Sequence, residues 1–155
     1  YVALKGGSYD LKAFLNPVAD GNSAETGVGF QPQGIILNGF GAVASASITA
    51  QGRMTWGAGT SSSSRFSVFH GATDAATDMI TSSYLDRAKV LNARIEAGAS
   101  PTLLSSADIV SIDADGFTLN WDVTDATQRQ WLALSISISD AAAGGGTSRR
   151  RIFIY

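Results

Sequence analysis

The sequence predicts an all-β protein, an antiparallel β-sandwich of jelly-roll type, on three observations. Apolar and polar residues alternate with a period of two in many short segments. Turn-forming Gly, Asn, Asp and Ser separate these segments at intervals of about ten residues, which is typical of sandwiches. The chain has 155 residues, of which 45% are hydrophobic and 15% are charged. One weakly charged domain with a sizeable core is therefore expected.

The predicted strands cover residues 1–4, 34–37, 42–50, 53–56, 65–70, 90–96, 109–112, 117–123 and 130–138. Alternate residues of a strand point to opposite faces. We therefore expect one face of the strand at 117–123 to be core, with the side chains of Phe117, Leu119, Trp121 and Val123.

The last predicted strand also separates into two faces. Leu132, Leu134, Ile136 and Ile138 lie on one face, opposite Trp131, Ala133, Ser135 and Ser137. The small residues of the second face suit solvent or a close neighbour, so the sequence favours the leucine and isoleucine face as core.

Three other segments are predicted not to be strands of the sandwich. Residues 74–90 are compatible with a short helix or a turn, because Thr and Ser clusters interrupt their helical period. Residues 59–65 have the composition of a flexible loop. The Gly-rich residues 143–148 are expected to be a hinge that divides a sandwich domain at 1–142 from a C-terminal arm at 143–155.

The arm ends in a segment that combines positive charge with strand-forming residues. It consists of Arg149, Arg150, Arg151, Ile152, Phe153, Ile154 and Tyr155. A flexible tether could deliver this segment to the sheet edge of a neighbouring subunit, or the segment could return as the last strand of its own sheet. The N-terminal residues Tyr1, Val2 and Leu4 are also predicted to contact another subunit.

Composition argues against several classes of partner. The formal net charge is -2, so no general electrostatic attraction to nucleic acid is expected. The chain has no cysteine, which excludes disulfides and thiolate metal sites. No apolar run approaches the roughly 20 residues of a membrane helix, and no signal peptide is visible. Because the chain starts at Tyr1 rather than Met, we expect a processed protein or part of a longer one.

The acidic turn at residues 113–116, Asp-Ala-Asp-Gly, has two possible interpretations. Asp113 and Asp115 alternate as in calcium loops, but the further oxygen ligands and the closing Glu are missing. A β-turn accounts for all four residues, because Asp favours early turn positions and Gly116 tolerates positive φ. The turn is therefore preferred, with a metal site as the alternative, and no cofactor is predicted.

No residue pattern points to catalysis. His70, the only histidine, lacks a patterned serine and carboxylate, and it is predicted to end a strand. The glutamates Glu25 and Glu96 have no patterned partner. Either Asp122 or Asp125 could pair with Arg129 in a solvated surface contact. We therefore expect the chain not to be an enzyme.

Three motifs resemble those of a largely uncharacterised family of tailed-bacteriophage virion proteins. They are Gly-Phe-Gln-Pro at 29–32, Ser-Ile-Asp-Ala-Asp-Gly-Phe-Thr-Leu at 111–119, and Trp-Leu-Ala-Leu at 131–134. Gln33 stands where the family pattern has Lys, and Ser135 where it has Gly. The opening residues 1–4 are similar to the third motif, which indicates either a preceding repeat or a similarity of composition alone.

The resemblance implies a non-enzymatic subunit of a virion, as a capsid decoration or a tail or fibre component, that self-assembles after synthesis in the host cytoplasm. The implied partners are other copies of the chain and other virion proteins, with neither nucleic acid nor membrane insertion. The alternative is a module of a tail fibre that binds a host-surface glycan or receptor through Trp56, Arg65 and His70.

Overall fold

The structure, a computed structural model, describes residues 6–39, 51–74, 79–95 and 101–138. These residues form ten antiparallel strands and no helix. The strands are β1 (Ser8–Leu15), β2 (Gly21–Thr26), β3 (Gly34–Gly39), β4 (Gln51–Ser61), β5 (Ser64–Asp74), β6 (Met79–Asp86), β7 (Leu91–Ile95), β8 (Thr102–Asp113), β9 (Gly116–Val123) and β10 (Gln130–Ser137).

The strands form two sheets that pack face to face. The six-stranded sheet has the order β1-β10-β3-β4-β5-β6, and the four-stranded sheet has the order β2-β9-β8-β7. All strand pairs are antiparallel. The predicted all-β antiparallel sandwich is thereby confirmed, and its jelly-roll connectivity stays a prediction.

The core lies between the sheets and contains two tryptophans in contact. Trp121 of β9 and Trp131 of β10 are each 1% exposed, and their ring centroids lie 6.3 Å apart. Phe117 and Leu119 are fully buried beside Trp121. The predicted core face of β9 is confirmed for these three side chains, whereas Val123 is only half-buried at the strand end.

Two glycines in β4 allow the sheets to approach each other closely. A Cβ atom on Gly57 would lie 1.8 Å from the carbonyl oxygen of Val90, and one on Gly59 would lie 2.7 Å from the Ile109 side chain. Glycine inside a strand often marks such an approach. The expectation of a flexible loop at 59–65 is wrong. Strand β4 ends at Ser61 and strand β5 begins at Ser64, so only a tight turn separates the two strands.

The predicted facing of β10 is also wrong. Trp131, Ala133 and Ser135 are buried between the sheets. Leu132 is 37% exposed and Ile138 is 46% exposed on the opposite side. The small residues Ala133 and Ser135 were expected to face solvent or a close neighbour. They face the interior of the sandwich, so the close neighbour is the core between the two sheets.

Three strands were not predicted, and one of them replaces a predicted helix. Residues 79–86 form β6 instead of a short helix or turn, because they pair along their whole length with β5. Strands β1 and β2 pair with β10 and β9. Several predicted features lie outside the described residues. They are the strands at 1–4 and 42–50, Glu96, the hinge at 143–148 and the C-terminal contact residues 149–155.

Candidate functional site

The outward side of the six-stranded sheet carries mostly apolar side chains. We define the apolar face as the outward residues Leu11, Ile36, Met54, Trp56, Ala58, Phe66, Val68, Leu85, Leu132, Leu134 and Ile136. Their placement follows from the strand registers, because directly opposed residues of paired strands point to the same side.

One row of the apolar face crosses five strands. Leu11 lies opposite Leu134, which lies opposite Ile36; Ile36 in turn lies opposite Ala58, and Ala58 opposite Phe66. The neighbouring row crosses all six strands through Ala13, Leu132, Asn38, Trp56, Val68 and Leu85. The apolar residues are therefore contiguous across the sheet rather than scattered.

Many of these side chains are open to solvent. Leu11 is 68% exposed, Leu85 54%, Trp56 45% and Met54 42%. Soluble proteins expose single apolar residues routinely, but a contiguous patch is typical of a binding surface.

Lys12 of β1 and Arg65 of β5 lie at the alternate, inward-pointing positions of this sheet. The Lys12 ammonium lies 3.2 Å from the Glu25 carboxylate and donates to the Thr26 carbonyl at 2.7 Å. The Arg65 guanidinium donates two hydrogen bonds, of 2.9 and 2.6 Å, to the Asp108 carboxylate. Both pairs join the six-stranded sheet to the four-stranded one.

Glu25, for which the sequence indicated no partner, therefore has a partner in Lys12.

Asp, Glu, Lys and Arg are absent from most outward positions of the described strands in this sheet. The outward positions without these residues are those from Tyr9 to Leu15, Gly34 to Asn38, Gly52 to Thr60, Phe66 to Ala72, Thr81 to Leu85 and Gln130 to Ile136.

The outer side of the four-stranded sheet is polar by contrast. Asn22 of β2 lies opposite Asn120 of β9. Further along β9, Asp122 accepts hydrogen bonds from Lys89 and from the Asn120 amide. Only the six-stranded sheet therefore departs from the usual polar outer side of an antiparallel sandwich.

The proposed ligand residues fall in two depressions on the apolar side. Trp56 and His70 line a depression of about 280 Å³ together with Met54 and Val68. Arg65 lines a larger one, of about 780 Å³, but its guanidinium is already bound to Asp108. The structure thus brings Trp56 and His70 together and places Arg65 in another contact.

The sequence predicted His70 at the end of a strand, but in the structure it lies inside β5. Its Nδ1 atom is 3.0 Å from the Ser83 hydroxyl of β6. The nearby strand β10 adds no aromatic side chain to either depression, because its Trp131 is buried in the core.

The acidic turn forms the tight connection between β8 and β9, with Asp113 paired to Gly116. The Asp115 carboxylate accepts hydrogen bonds from the backbone N–H groups of Gly27 and Gly29, both of which have positive φ. The predicted turn is therefore present, and Asp115 acts as a clamp that joins the second resemblance motif to the segment containing the first.

Asp113 has a structural partner of its own. The hydroxyl of Thr118 donates to its carboxylate at 2.7 Å. The side-chain hydrogen bonds from Thr118 and Ser111 lower the pKa of Asp113 below its ordinary value, against a smaller opposing effect of burial.

The loop before β10 is organised by an ion pair and a buried amide. Arg129 and Asp125 lie 2.6 Å apart with side chains 13% and 14% exposed, so this pair is not the solvated surface contact that the sequence suggested. Asn16 is fully buried, and its side chain accepts from the Arg129 backbone N–H. Burial alone would raise the pKa of Asp125, but hydrogen bonds from Thr127 and Arg129, together with the positive charges of Arg129 and Arg53, more than compensate and lower it.

No family model, curated protein or solved structure matches the chain. Within the four described ranges, no cluster of three or more His, Asp or Glu side chains is arranged to hold a metal ion. The same part of the chain contains no helix of the length and apolarity needed to cross a bilayer.

Sequence reasoning did not find the apolar face. The signal was present in the alternating leucines and isoleucines of β10, which were assigned to the core because apolar residues are usually buried. The inward face of β10 is instead the one with Trp131, Ala133 and Ser135. The large Trp131 and the small Ala133 and Ser135 are all buried against the opposing sheet.

Proposed function

We propose that this chain is a non-enzymatic structural subunit of a tailed-bacteriophage virion, which acts by assembling with copies of itself and with other virion proteins. The observation that carries the proposal is the apolar face, a contiguous outward surface whose defining residues are all uncharged. Such a surface favours association with another protein, because association removes apolar area from water.

The roles of the carboxylates support a structural protein. Asp108 binds Arg65, Asp125 binds Arg129, Asp122 binds Lys89, Glu25 binds Lys12, and Asp115 binds two backbone N–H groups. Each of these carboxylates therefore stabilises a connection within the sandwich.

The resemblance motifs also have a structural explanation. Asp115 of the second motif holds Gly27 and Gly29 at the start of the first. Gln33, at the position of the usual Lys, accepts the backbone N–H of Ile138 at 2.9 Å through its side-chain oxygen. A lysine side chain could not accept this bond, because its ammonium group is only a donor.

The proposal is tested on virions produced by the genome that encodes the chain. Mass spectrometry of purified particles should detect the chain at a copy number of tens or more, as expected of a repeated subunit. Particles that lack the chain would show that the proposal is wrong. An enzyme packaged in one or two copies would also contradict the role as a repeated subunit.

A second candidate function is the binding of a host-surface glycan or receptor, and the depression shared by Trp56 and His70 is the observation that favours it. An exposed tryptophan can stack on the apolar side of a sugar ring. A glycan array on the purified chain would support this function if binding is reproducible and is lost in Trp56→Ala. Absence of binding together with self-association would favour the assembly function.

A further inference from the structure

We infer that the apolar face binds the same face of a second copy, so that two chains form a closed, two-fold symmetric dimer through their six-stranded sheets. The inference rests on the proposed assembly function and specifies its contact.

The apolar face offers no charge to a charged partner. The outward positions of β1, β3 and β10, and those from Gly52 to Thr60, Phe66 to Ala72 and Thr81 to Leu85, carry no Asp, Glu, Lys or Arg; Asp74 lies beyond them at the end of β5. Neither nucleic acid nor an anionic membrane therefore finds a complementary charge on the face itself. A second copy brings an equally uncharged surface, so pairing leaves no buried charge without a partner.

The distribution of apolar surface on the chain favours a two-fold symmetric contact. A head-to-tail contact would require a complementary apolar surface elsewhere on the chain, but the outer side of the four-stranded sheet carries Asn22, Asn120 and Asp122. An isologous contact uses the same patch on both subunits and closes after two copies. Between the two described outer sides, only pairing of the apolar face with itself buries it in both chains.

The outer side of the sheet is large enough for a dimer contact. Six strands spaced by about 4.8 Å make this side, which includes the apolar face and the polar residues between its members, about 24 Å wide, and about four outward residues per strand make it about 20 Å long. A contact over the whole side has a projected area of about 500 Å² per copy, or about 1,000 Å² for the pair, near the lower bound for a specific interface. The dimer is therefore expected to be reversible. Sheets pack face to face at a separation of about 10 Å with strands inclined by about 30°.

The margin of the face resembles the rim of an interface. Arg87, which is exposed, lines the 780 Å³ depression at the end of the rows that contain Phe66 and Leu85. An apolar centre with a polar margin is the usual anatomy of a protein–protein contact.

The first experiment inserts a charge and measures association by sedimentation velocity over a range of concentrations. The full chain of 16.1 kDa should approach twice this mass as concentration rises. Leu132→Lys should raise the dimer dissociation constant at least about tenfold, because two copies would bury lysines against an apolar surface. The matched control is Val110→Lys, which alters an exposed apolar residue of β8 in the other sheet and should leave association unchanged.

A second variant protects the result against a folding defect. Leu11 is 68% exposed, so Leu11→Lys should leave the circular-dichroism spectrum and the thermal midpoint unchanged while it also weakens the dimer. If both lysine variants on the face fold normally and associate as well as the unmodified chain, the inference is wrong.

The second experiment tests the geometry and uses the absence of cysteine from the chain. Residues near a two-fold axis lie opposite their own copies, and a disulfide forms when two Cβ atoms come within about 4.5 Å. Ile36→Cys, Ala58→Cys and Val68→Cys are oxidised separately, with Val110→Cys as the control. At least one of the three should give a covalent dimer much faster than the control. Equal rates for all four variants would contradict the two-fold face-to-face contact.

The outcomes separate this inference from the proposed function. The dimer is overturned if Leu132→Lys and Leu11→Lys leave association unchanged, or if the chain is monomeric at every concentration. Neither result affects the detection of the chain in virions. If removal of residues 149–155 converts a monomer into a dimer, the C-terminal segment covers the face in the full chain and the inference is overturned. Virions that lack the chain refute the proposed function and leave the dimer result intact.

Discussion

Replacing Trp121 by alanine should be among the most destabilising substitutions in the sandwich. Trp121 is 1% exposed and packs against Trp131 between the sheets. Burial of about 200 Å² of indole surface at 25 cal/mol per Å² corresponds to about 5 kcal/mol. The indole N–H of Trp121 has no hydrogen-bond partner, so its removal offsets about 1–2 kcal/mol of this loss. The expected net loss is about 3–4 kcal/mol, within the range for such core truncations.

The loss should be measured as the change in unfolding free energy by urea or guanidinium titration, and as the change in Tm by calorimetry. For a chain of this length, a loss of about 3–4 kcal/mol lowers Tm by about 6–16 °C. The matched control is Trp56→Ala, which removes the same side chain at a site that is 45% exposed. By the same area argument the control should lose about half as much. Equal losses in the two variants would refute the assignment of Trp121 to the core and of Trp56 to the surface.

Three further predictions concern a glycine and two carboxylates. Gly57→Ala should lower the unfolding free energy by at least about 2 kcal/mol, because its Cβ would lie 1.8 Å from the Val90 carbonyl oxygen; Gly52→Ala, which meets nothing within 4 Å, should be close to neutral in the same denaturant titration. Asp115→Ala should lower the thermal midpoint by removing the acceptor of two backbone hydrogen bonds, at a cost of about 1–2 kcal/mol, whereas an unchanged midpoint would show that the clamp is not needed. The pKa of Asp125 is lowered in the fold, so its stabilisation is complete above the unfolded pKa of about 3.9 and is lost as pH falls through the lower folded pKa; the unfolding free energy should drop in this acid range, and the drop should be smaller in Asp125→Asn.

The sequence was sufficient for the fold class and for the most regular strands. Strand β9 was predicted with its facing, because its apolar side chains alternate with Thr118, Asn120 and Asp122. Strand β10 was predicted in position but with the wrong facing. Alternation along a strand divides its side chains into two faces. Hydrophobicity shows which face points to the core only when the other face is polar. Here both faces of the sheet are apolar, and the facing depends on the contact of Trp131 with Trp121.

The missed and shortened strands depend on pairing between distant segments. Strand β2 has no apolar alternation and is held by its register with β9. In β1 the inward positions include Asp10 and Lys12, which obscure the pattern. In β4 the glycines at 57 and 59 have the composition of a loop, but they are needed where the second sheet comes close. These features could not be predicted without the three-dimensional partners.

The candidate site was only partly predictable. Trp56 and His70 are candidate ligand residues at the ends of predicted strands, and the structure places both inside longer strands and along one depression. The surface that contains them extends across all six strands, and its residues come from distant parts of the sequence. A contiguous surface of this kind becomes visible only when the order of the strands in the sheet is known.

The separation of ionic contacts from the apolar face gives the molecule opposite responses to salt. The pairs Lys12–Glu25 and Arg65–Asp108 join the two layers with side chains that are mostly buried, so added ions screen them only partly. Sulfate and phosphate at high concentration instead strengthen the removal of apolar surface from water. Concentrated sulfate should therefore weaken the electrostatic links between the layers only slightly while it favours the proposed association through the apolar face. If the chain assembles as proposed, ionic strength is an external control over that assembly.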